Sequence, residues 1–317
     1  MELQVAKQAV RTASKLAHTV AQHHISSISK SDQSPVTVAD FGAQAVIISA
    51  LKQAFPGDPV VGEEDAAALR ADDTLANKVW ALVKEAAPHD KNLSERTNLF
   101  AAIDAGNYAG SAKGRQWALD PIDGTKGFLR GGQYAVCLAL IVDSRVELGV
   151  IGCPNLGPRG GLFSAVRGKG AFWEPLFEES TPEKISFRHI ESTKDATFCE
   201  SVESGHSALD TQLKIAQSLG ISNPPVQMDS QAKYCSLAKG DADIYLRLPV
   251  RMDYEEKIWD HAAGNILITE AGGVVTDMNG NLLDFGKGRT LKDNKGVIAA
   301  AKSIHSDVLK AVQKALL

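Results

Sequence analysis

Two carboxylates three residues apart, Asp120 and Asp123, close an apolar run in the stretch Trp117-Ala118-Leu119-Asp120-Pro121-Ile122-Asp123-Gly124-Thr125-Lys126-Gly127-Phe128. Trp117, Ala118 and Leu119 read as the end of a buried strand, and Pro121, which lacks a ladder donor, is expected to force a turn there. Both carboxylates then leave one rigid strand end, an arrangement suited to a hard cation. Gly124 permits close backbone approach, and Thr125 brings a hydroxyl to a helix start, where free N–H groups attract an anion. A plain alternative is an Asx turn followed by a helix cap, worth about 1 kcal/mol.

Further acids stand at element ends. Asp40 opens a helix carrying Phe41, Ala45, Ile48, Leu51 and Ala54, either as its cap or as a carboxylate aimed where Thr125 faces. Glu63, Glu64 and Asp65 follow the short strand of Val60 and Val61, and three adjacent acids are ordinarily a solvated loop. Asp260 lies in Lys257-Ile258-Trp259-Asp260-His261-Ala262-Ala263-Gly264, a helix start that it could simply cap.

The elements that must position these groups change character along the chain. Residues 2 to 24 form an amphipathic helix, and residues 66 to 85 give a further helical stretch. Tyr134 to Val142 and Val146 to Cys153 read as paired strands, and Gly161 to Trp173 as a hairpin turning at 167 to 170. The Gly168-Lys169 pair there lacks the following Ser or Thr of a nucleotide-triphosphate loop. Beyond residue 190, strands at 197 to 202, 226 to 228 and 244 to 248 alternate with helices at 208 to 219 and 232 to 238, an α/β arrangement with ligands expected at strand ends. Strands at 274 to 277 and 296 to 300 and a helix at 303 to 316 complete the chain.

With 317 residues and 44% hydrophobic content, the chain can bury the cores of two domains. A net charge of -4 gives no general attraction to nucleic acid or to an anionic membrane, so a phosphate ligand must be held by local charge. No run of about 18 apolar residues suggests a membrane span, and the N-terminus lacks the apolar block of a signal peptide. The expectation is a cytoplasmic protein, also compatible with the nucleus. Cys137, Cys153, Cys199 and Cys235 show no zinc spacing and read as buried thiols.

In order and spacing, SPVTVAD (34 to 40), VGEED (61 to 65), DPIDGT (120 to 125) and WDHAAG (259 to 264) resemble the motifs of the magnesium-dependent, lithium-sensitive inositol monophosphatase superfamily. ESGHSALD (beginning at Glu203), DSQAKY (229 to 234) and YLRLP (245 to 249) are similar to its 3'(2'),5'-bisphosphate nucleotidase branch. Inositol monophosphatases usually continue DGT with Thr-Asn-Phe; Lys126-Gly127-Phe128 departs from that and favours the nucleotidases.

The resemblance implies a layered αβαβα, sugar-phosphatase-like fold of two packed domains, α+β for residues 1–189 and α/β for 190–317. It also implies two or three Mg2+ ions held by Glu63, Asp120, the Ile122 carbonyl, Asp123 and Asp260, with Glu64 and Asp65 outside the ligand set. Four convergent anions in a partly buried cleft require counter-charge, and oxygen-only ligands select magnesium over zinc. Asp40 and Thr125 would orient and deprotonate the attacking water. Gly124, Thr125, His206, Ser230, Lys233 and Arg247 would line the substrate site, with Lys233 and Arg247 on the 5'-phosphate side, and Tyr234 either packs on adenine or fills core. The implied reaction converts adenosine 3',5'-bisphosphate to AMP, and extends to the sulfated relative, phosphoadenosine phosphosulfate. The alternatives are an inositol polyphosphate 1-phosphatase or dual-specificity enzyme and, from another class, a nucleotide sensor without turnover. The expected partner is a small molecule bound by a monomer, with neither nucleic acid nor membrane.

Overall fold

The computed structural model describes residues 1–22, 27–29, 35–202, 209–249 and 251–316. Helix α1 (Glu2–Gln22) is followed by the hairpin of β1 (Ser27–Ser29) and β2 (Pro35–Thr37), then by α2 (Val38–Ala54) and β3 (Val60–Gly62). Three helices, α3 (Ala67–Ala71), α4 (Asp73–Ala86) and α5 (Arg96–Asp104), lead to the long strand β4 (Arg115–Asp123) and the short helix α6 (Thr125–Leu129). The expected single helical stretch at 66 to 85 is therefore two helices. Asp72 divides them, because its extended backbone and its carboxylate, which accepts the N–H groups of Thr74 and Leu75, start a new helix.

Strands β5 (Ala135–Val142), β6 (Arg145–Cys153), β7 (Gly161–Val166), β8 (Gly170–Glu174) and β9 (Glu183–Ile185) complete a seven-stranded sheet ordered β3-β4-β5-β6-β7-β8-β9. Only β3 and β4 run parallel in it. The second sheet joins β10 (Phe198–Glu200), β11 (Val226–Gln227), β12 (Ile244–Arg247), β13 (Gly273–Thr276) and β14 (Val297–Ala301) in the order β11-β10-β12-β14-β13. Its helices are α7 (Leu209–Leu219), α8 (Ala232–Lys239), α9 (Ala262–Glu270) and α10 (His305–Ala315). Helices α1 and α2 cover one face of the first sheet, α8 and α9 lie between the sheets, and α7 and α10 pack together on the outer side of the second. The result is the layered αβαβα order.

Strand β5 shows why its sequence is apolar without interruption. Val136, Leu138 and Leu140 enter the core beneath α1 and α2, whereas Ala135, Cys137, Ala139 and Ile141 enter the core shared with α8 and α9. Both faces are covered, so the period-two signal vanishes. The α9 side carries the smaller residues, which lets that helix approach the sheet closely. On its other side a Cβ at Gly264 would lie 2.1 Å from the Tyr234 ring, and the Tyr234 hydroxyl is tied to His261, so neither partner can retreat cheaply. This packing sets where α9 begins, and Asp260 lies two residues before that start. All four cysteines are buried, as expected.

Gly264→Ala is accordingly expected to destabilise the fold by about 1–3 kcal/mol through overpacking. Urea denaturation followed by circular dichroism reads the change; a midpoint equal to the parent protein's contradicts this account of the middle layer.

Candidate metal and phosphate site

Strand β4 does not stop at Pro121. Its pairing with β5 places Asp120 opposite Cys137 and Asp123 opposite Ala135, so three steps on β4 match two on β5. The expected turn is a β-bulge within a continuous strand: Pro121 removes a ladder donor, and the bulge absorbs the loss while re-aiming the flanking carboxylates. Beside it, the parallel register sets Gly62 against Leu119, so the next residue on each strand is an acid, Glu63 and Asp120. Gln44 of α2 fixes that loop. Its Nε2 donates to the carbonyls of Glu64 (2.6 Å) and Ile103 (2.9 Å), and its Oε1 accepts the Glu64 N–H (3.0 Å). Asp65 is exposed, and its carboxylate accepts the Ala67 N–H where α3 begins.

Helix α6 begins at Thr125, and its cap is Gly124 in the left-handed region at φ 85°, so Thr125 is the first helical residue. The Thr125 hydroxyl donates to the Ile122 carbonyl at 3.2 Å. Close approach matters too, since a Cβ at Gly124 would lie 2.9 Å from the Ser230 Cβ. The 229–231 turn is held against this start: the Gln231 N–H donates to the Asp123 carboxylate at 2.5 Å, and Arg130 pairs with Asp229. Ser230 has a positive φ of 65°, and its hydroxyl accepts the Ala232 N–H at the start of α8. Asp40 is buried as the third residue of α2, which begins at Val38, so it is not the cap that the sequence suggested.

Asp260 stands at the other wall. Around it runs a buried chain: Tyr234 meets His261 Nδ1 at 2.8 Å, His261 Nε2 meets Glu256 at 3.2 Å, and Glu256 accepts Arg247 Nε at 2.9 Å. Burial pushes the Tyr234 hydroxyl well above its ordinary range and holds His261 below its own. Both are therefore neutral, and Tyr234 donates to Nδ1 while Nε2–H donates to the carboxylate. Burial alone would raise Glu256, but the charge of Arg247 and the bond from His261 hold it down at about 2. Arg247 also reaches Asp260 at 3.8 Å, so the anion expected beside Arg247 is partly the protein's own. Tyr234 is buried and lies edge-on to Tyr245 at 5.1 Å, which makes it a core residue at the cleft wall.

Glu63, Asp120, Ile122, Asp123, Gly124, Thr125, Ser230, Lys233, Arg247 and Asp260 line one cleft of about 860 Å³, its open mouth included. His206, with residues 203–208, lies outside the described residues. Asp120 carries the strongest evidence of purpose. It is 2% exposed, and its Oδ1 has no hydrogen-bond partner among the described residues. Burial, then Glu63, Asp123, Asp260 and Asp40, push its carboxyl well above the usual range. Burial likewise raises Asp260 against the opposing charge of Arg247, and raises Asp123 against that of Lys233. A buried, orphaned carboxylate oxygen among four more acids fits a divalent cation bound through oxygen. The tighter trio of Glu256, Asp260 and His261, with ligand atoms within 4.8 Å, fits one less well because Glu256 is already engaged by Arg247 and His261. Lys233 is buried, burial lowers its pKa, and its ammonium lies 5.2 Å from the Tyr245 ring. Gln44, Gln231 and Glu256 were not found by sequence reasoning; each acts through the backbone or through another side chain, and the only local cue was a polar residue inside an apolar helix, at Gln44.

Because the Asp120 carboxyl is raised on folding, its ionisation costs stability as pH rises through the ordinary carboxylate range. At neutral pH and in chelator, Asp120→Asn is therefore expected to raise the Tm by about 2–6 °C, the shift given by about 1–2 kcal/mol in a large domain. Differential scanning calorimetry with and without Mg2+ tests this; a lower Tm in chelator contradicts the crowded-anion account.

The chain is 51% identical over 332 residues to a Schizosaccharomyces pombe protein named 3'(2'),5'-bisphosphate nucleotidase, covering 98% of this chain and 94% of that protein. An Emericella nidulans protein of the same name is 49% identical over 345 residues, covering 99% and 98%. Among solved structures, Thermotoga maritima IMPase superposes with a TM-score of 0.69 at 22% identity over 99% of this chain and 98% of that one, a likeness of fold. The family model described as "Inositol monophosphatase family" matches residues 2–317, and with it the layered fold and the acidic cleft find their place: this chain belongs to the inositol monophosphatase family.

Proposed function

We propose that this chain is a Mg2+-dependent, lithium-sensitive 3'(2'),5'-bisphosphate nucleotidase that removes the 3'-phosphate of adenosine 3',5'-bisphosphate to give AMP, and that also accepts phosphoadenosine phosphosulfate. The observation that carries the reading is the cleft itself, where the orphaned Asp120 oxygen and its neighbouring acids share one space with two cations, the buried Lys233 and the half-buried Arg247. The names of the two fungal relatives, matched over nearly their full length, support the same substrate class.

Glu63, Asp120, the Ile122 carbonyl, Asp123 and Asp260 would hold two or three Mg2+ ions, which when bound supply positive charge to the phosphate and acidify the attacking water. The chain's own groups do the rest. The Thr125 hydroxyl, whose proton is committed to the Ile122 carbonyl, turns lone pairs toward a water and accepts from it. Asp40, the buried carboxylate within electrostatic reach of Asp120, takes the water's proton. Attack is in line: the water oxygen bonds to phosphorus as the bond to the ribose 3'-oxygen breaks, and that oxygen leaves as a hydroxyl by taking a proton from solvent water, to which Asp40 returns the one it accepted. Lys233 and the N–H groups of Arg247 left free by Glu256 hold the second phosphate, while Gly124 and Ser230 shape the wall, and His206 adds a contact to the nucleoside. Charges at this distance from the reacting phosphorus discriminate a bisphosphate from a monoester, which the acidic cluster alone does not. The protein acts as a cytoplasmic or nuclear monomer on a small molecule; no described helix is long and apolar enough to cross a membrane.

Phosphate release from adenosine 3',5'-bisphosphate is expected to exceed release from inositol 1-phosphate by at least about tenfold, a difference of about 1.4 kcal/mol in transition-state binding, to vanish in chelator, and to be inhibited by lithium at concentrations where sodium has no effect. A parallel colorimetric assay of both substrates decides it. Preference for the inositol ester makes the protein an inositol phosphatase with the same acidic site, and no release from either makes it a nucleotide sensor.

A further inference from the structure

Glu63 follows a strand of the first sheet, and Asp260 precedes a helix of the middle layer, so no backbone ladder sets the distance between them. One side chain spans the gap. Arg289 Nη2 donates to the Gly62 carbonyl at 2.5 Å, and its Nη1 donates to the carbonyls of Gly106 (3.2 Å) and Tyr108 (3.0 Å). The same guanidinium lies 4.8 Å from the centre of the Trp259 ring. It therefore touches the residue before Glu63 and the residue before Asp260 at once.

The backbone around Arg289 is fixed on the Asp260 side as well. Its carbonyl accepts the Ile258 N–H at 3.1 Å, Leu291 N–H donates to the Glu256 carbonyl at 2.8 Å, and Lys257 bridges antiparallel to Thr290. Residues 289–291 thus run as a short zipper along 256–258. Gly288 and Gly110 meet back to back, where a Cβ on Gly110 would fall 2.6 Å from the Gly288 carbonyl carbon, and this contact brings the arginine against the Gly106–Tyr108 backbone. A planar fork with three carbonyl acceptors on its edge and an indole against it is a geometry that a lysine cannot reproduce.

We propose that Arg289 is a positioning residue that sets the span between Glu63 and Asp260 and so tunes the affinity of the cleft for divalent cations. It acts through Gly62 and Trp259 and touches no substrate. The proposal rests on the cation-binding reading of the acidic cleft given above. Groups that orient ligands in this way typically govern metal affinity by about 10–100-fold.

The test uses the full-length protein, Arg289→Lys and Arg289→Met. Mg2+ binding is measured by isothermal titration calorimetry without substrate, and the Mg2+ concentration for half-maximal phosphate release is measured alongside kcat at saturating Mg2+. The expected result is Mg2+ binding weakened by about tenfold or more in Arg289→Met and less in Arg289→Lys, with kcat at saturating Mg2+ little changed. If Arg289→Met does not fold, Arg289→Lys, which keeps the charge and loses the fork, decides the matter alone. Variants that bind Mg2+ as tightly as the parent protein overturn the proposal and leave the cation reading standing, even if their Tm falls. A parent protein that binds no Mg2+ overturns the cation reading and the proposal with it.

Discussion

Mutual repulsion among buried carboxylates at the bulged end of β4 is the constraint on which the rest of the structure depends. Asp120 is held out of water with an oxygen that no described group satisfies, and Glu63, Asp123, Asp260 and Asp40 all add to its destabilisation. Left to themselves, such groups would drift apart or draw in solvent. The fold prevents this by fixing the backbone behind each acid: the bulge behind Asp120 and Asp123, Gln44 behind Glu63 and Glu64, and the closely packed start of α9 behind Asp260. On the proposed reading, a bound cation would restore the stability lost at this point.

The layers explain how acids from distant parts of the chain meet. Parallel pairing of β3 with β4 aligns Glu63 with Asp120, whereas Asp260 arrives from the middle layer, where small side chains on the sheet face and Gly264 beneath Tyr234 allow α9 to come close. Fixed charges on the far wall complete the balance. Arg247 is shared between Glu256 and Asp260, and the neutral pair of Tyr234 and His261 holds Glu256 in place, so the basic wall is fixed by the protein's own contacts. Rigid positioning of charge is what phosphoryl transfer asks of a protein.

Much of this was legible in the sequence, and the reason is locality. DPIDGT, GEE and WD each place a carboxylate at a strand or helix end within a few residues, and the strand and helix pattern after residue 190 reproduced the second sheet with boundaries shifted by only a residue or two. Pro121 was read as a turn because a missing donor looks the same in a turn and in a bulge; only the partner strand tells them apart. Asp40 was read as opening its helix for a similar reason, since nothing local shows that α2 starts two residues earlier. Gln44, Gln231 and Arg289 left little trace because they act across long separations on backbone groups, which carry no residue identity, and Arg289 meets Gly62 across 227 positions; Glu256 acts nearer by, on the side chains of Arg247 and His261.

Anomalous diffraction from crystals grown with Mn2+ in place of Mg2+ would locate cations in the cleft. Mn2+ peaks are expected between the carboxylates of Glu63, Asp120, Asp123 and Asp260 and the Ile122 carbonyl, with Glu256 still bonded to Arg247. Peaks confined to Glu256 and His261, or an acidic cleft that stays free of Mn2+ at saturating concentration, would contradict the cation-binding reading of the cleft.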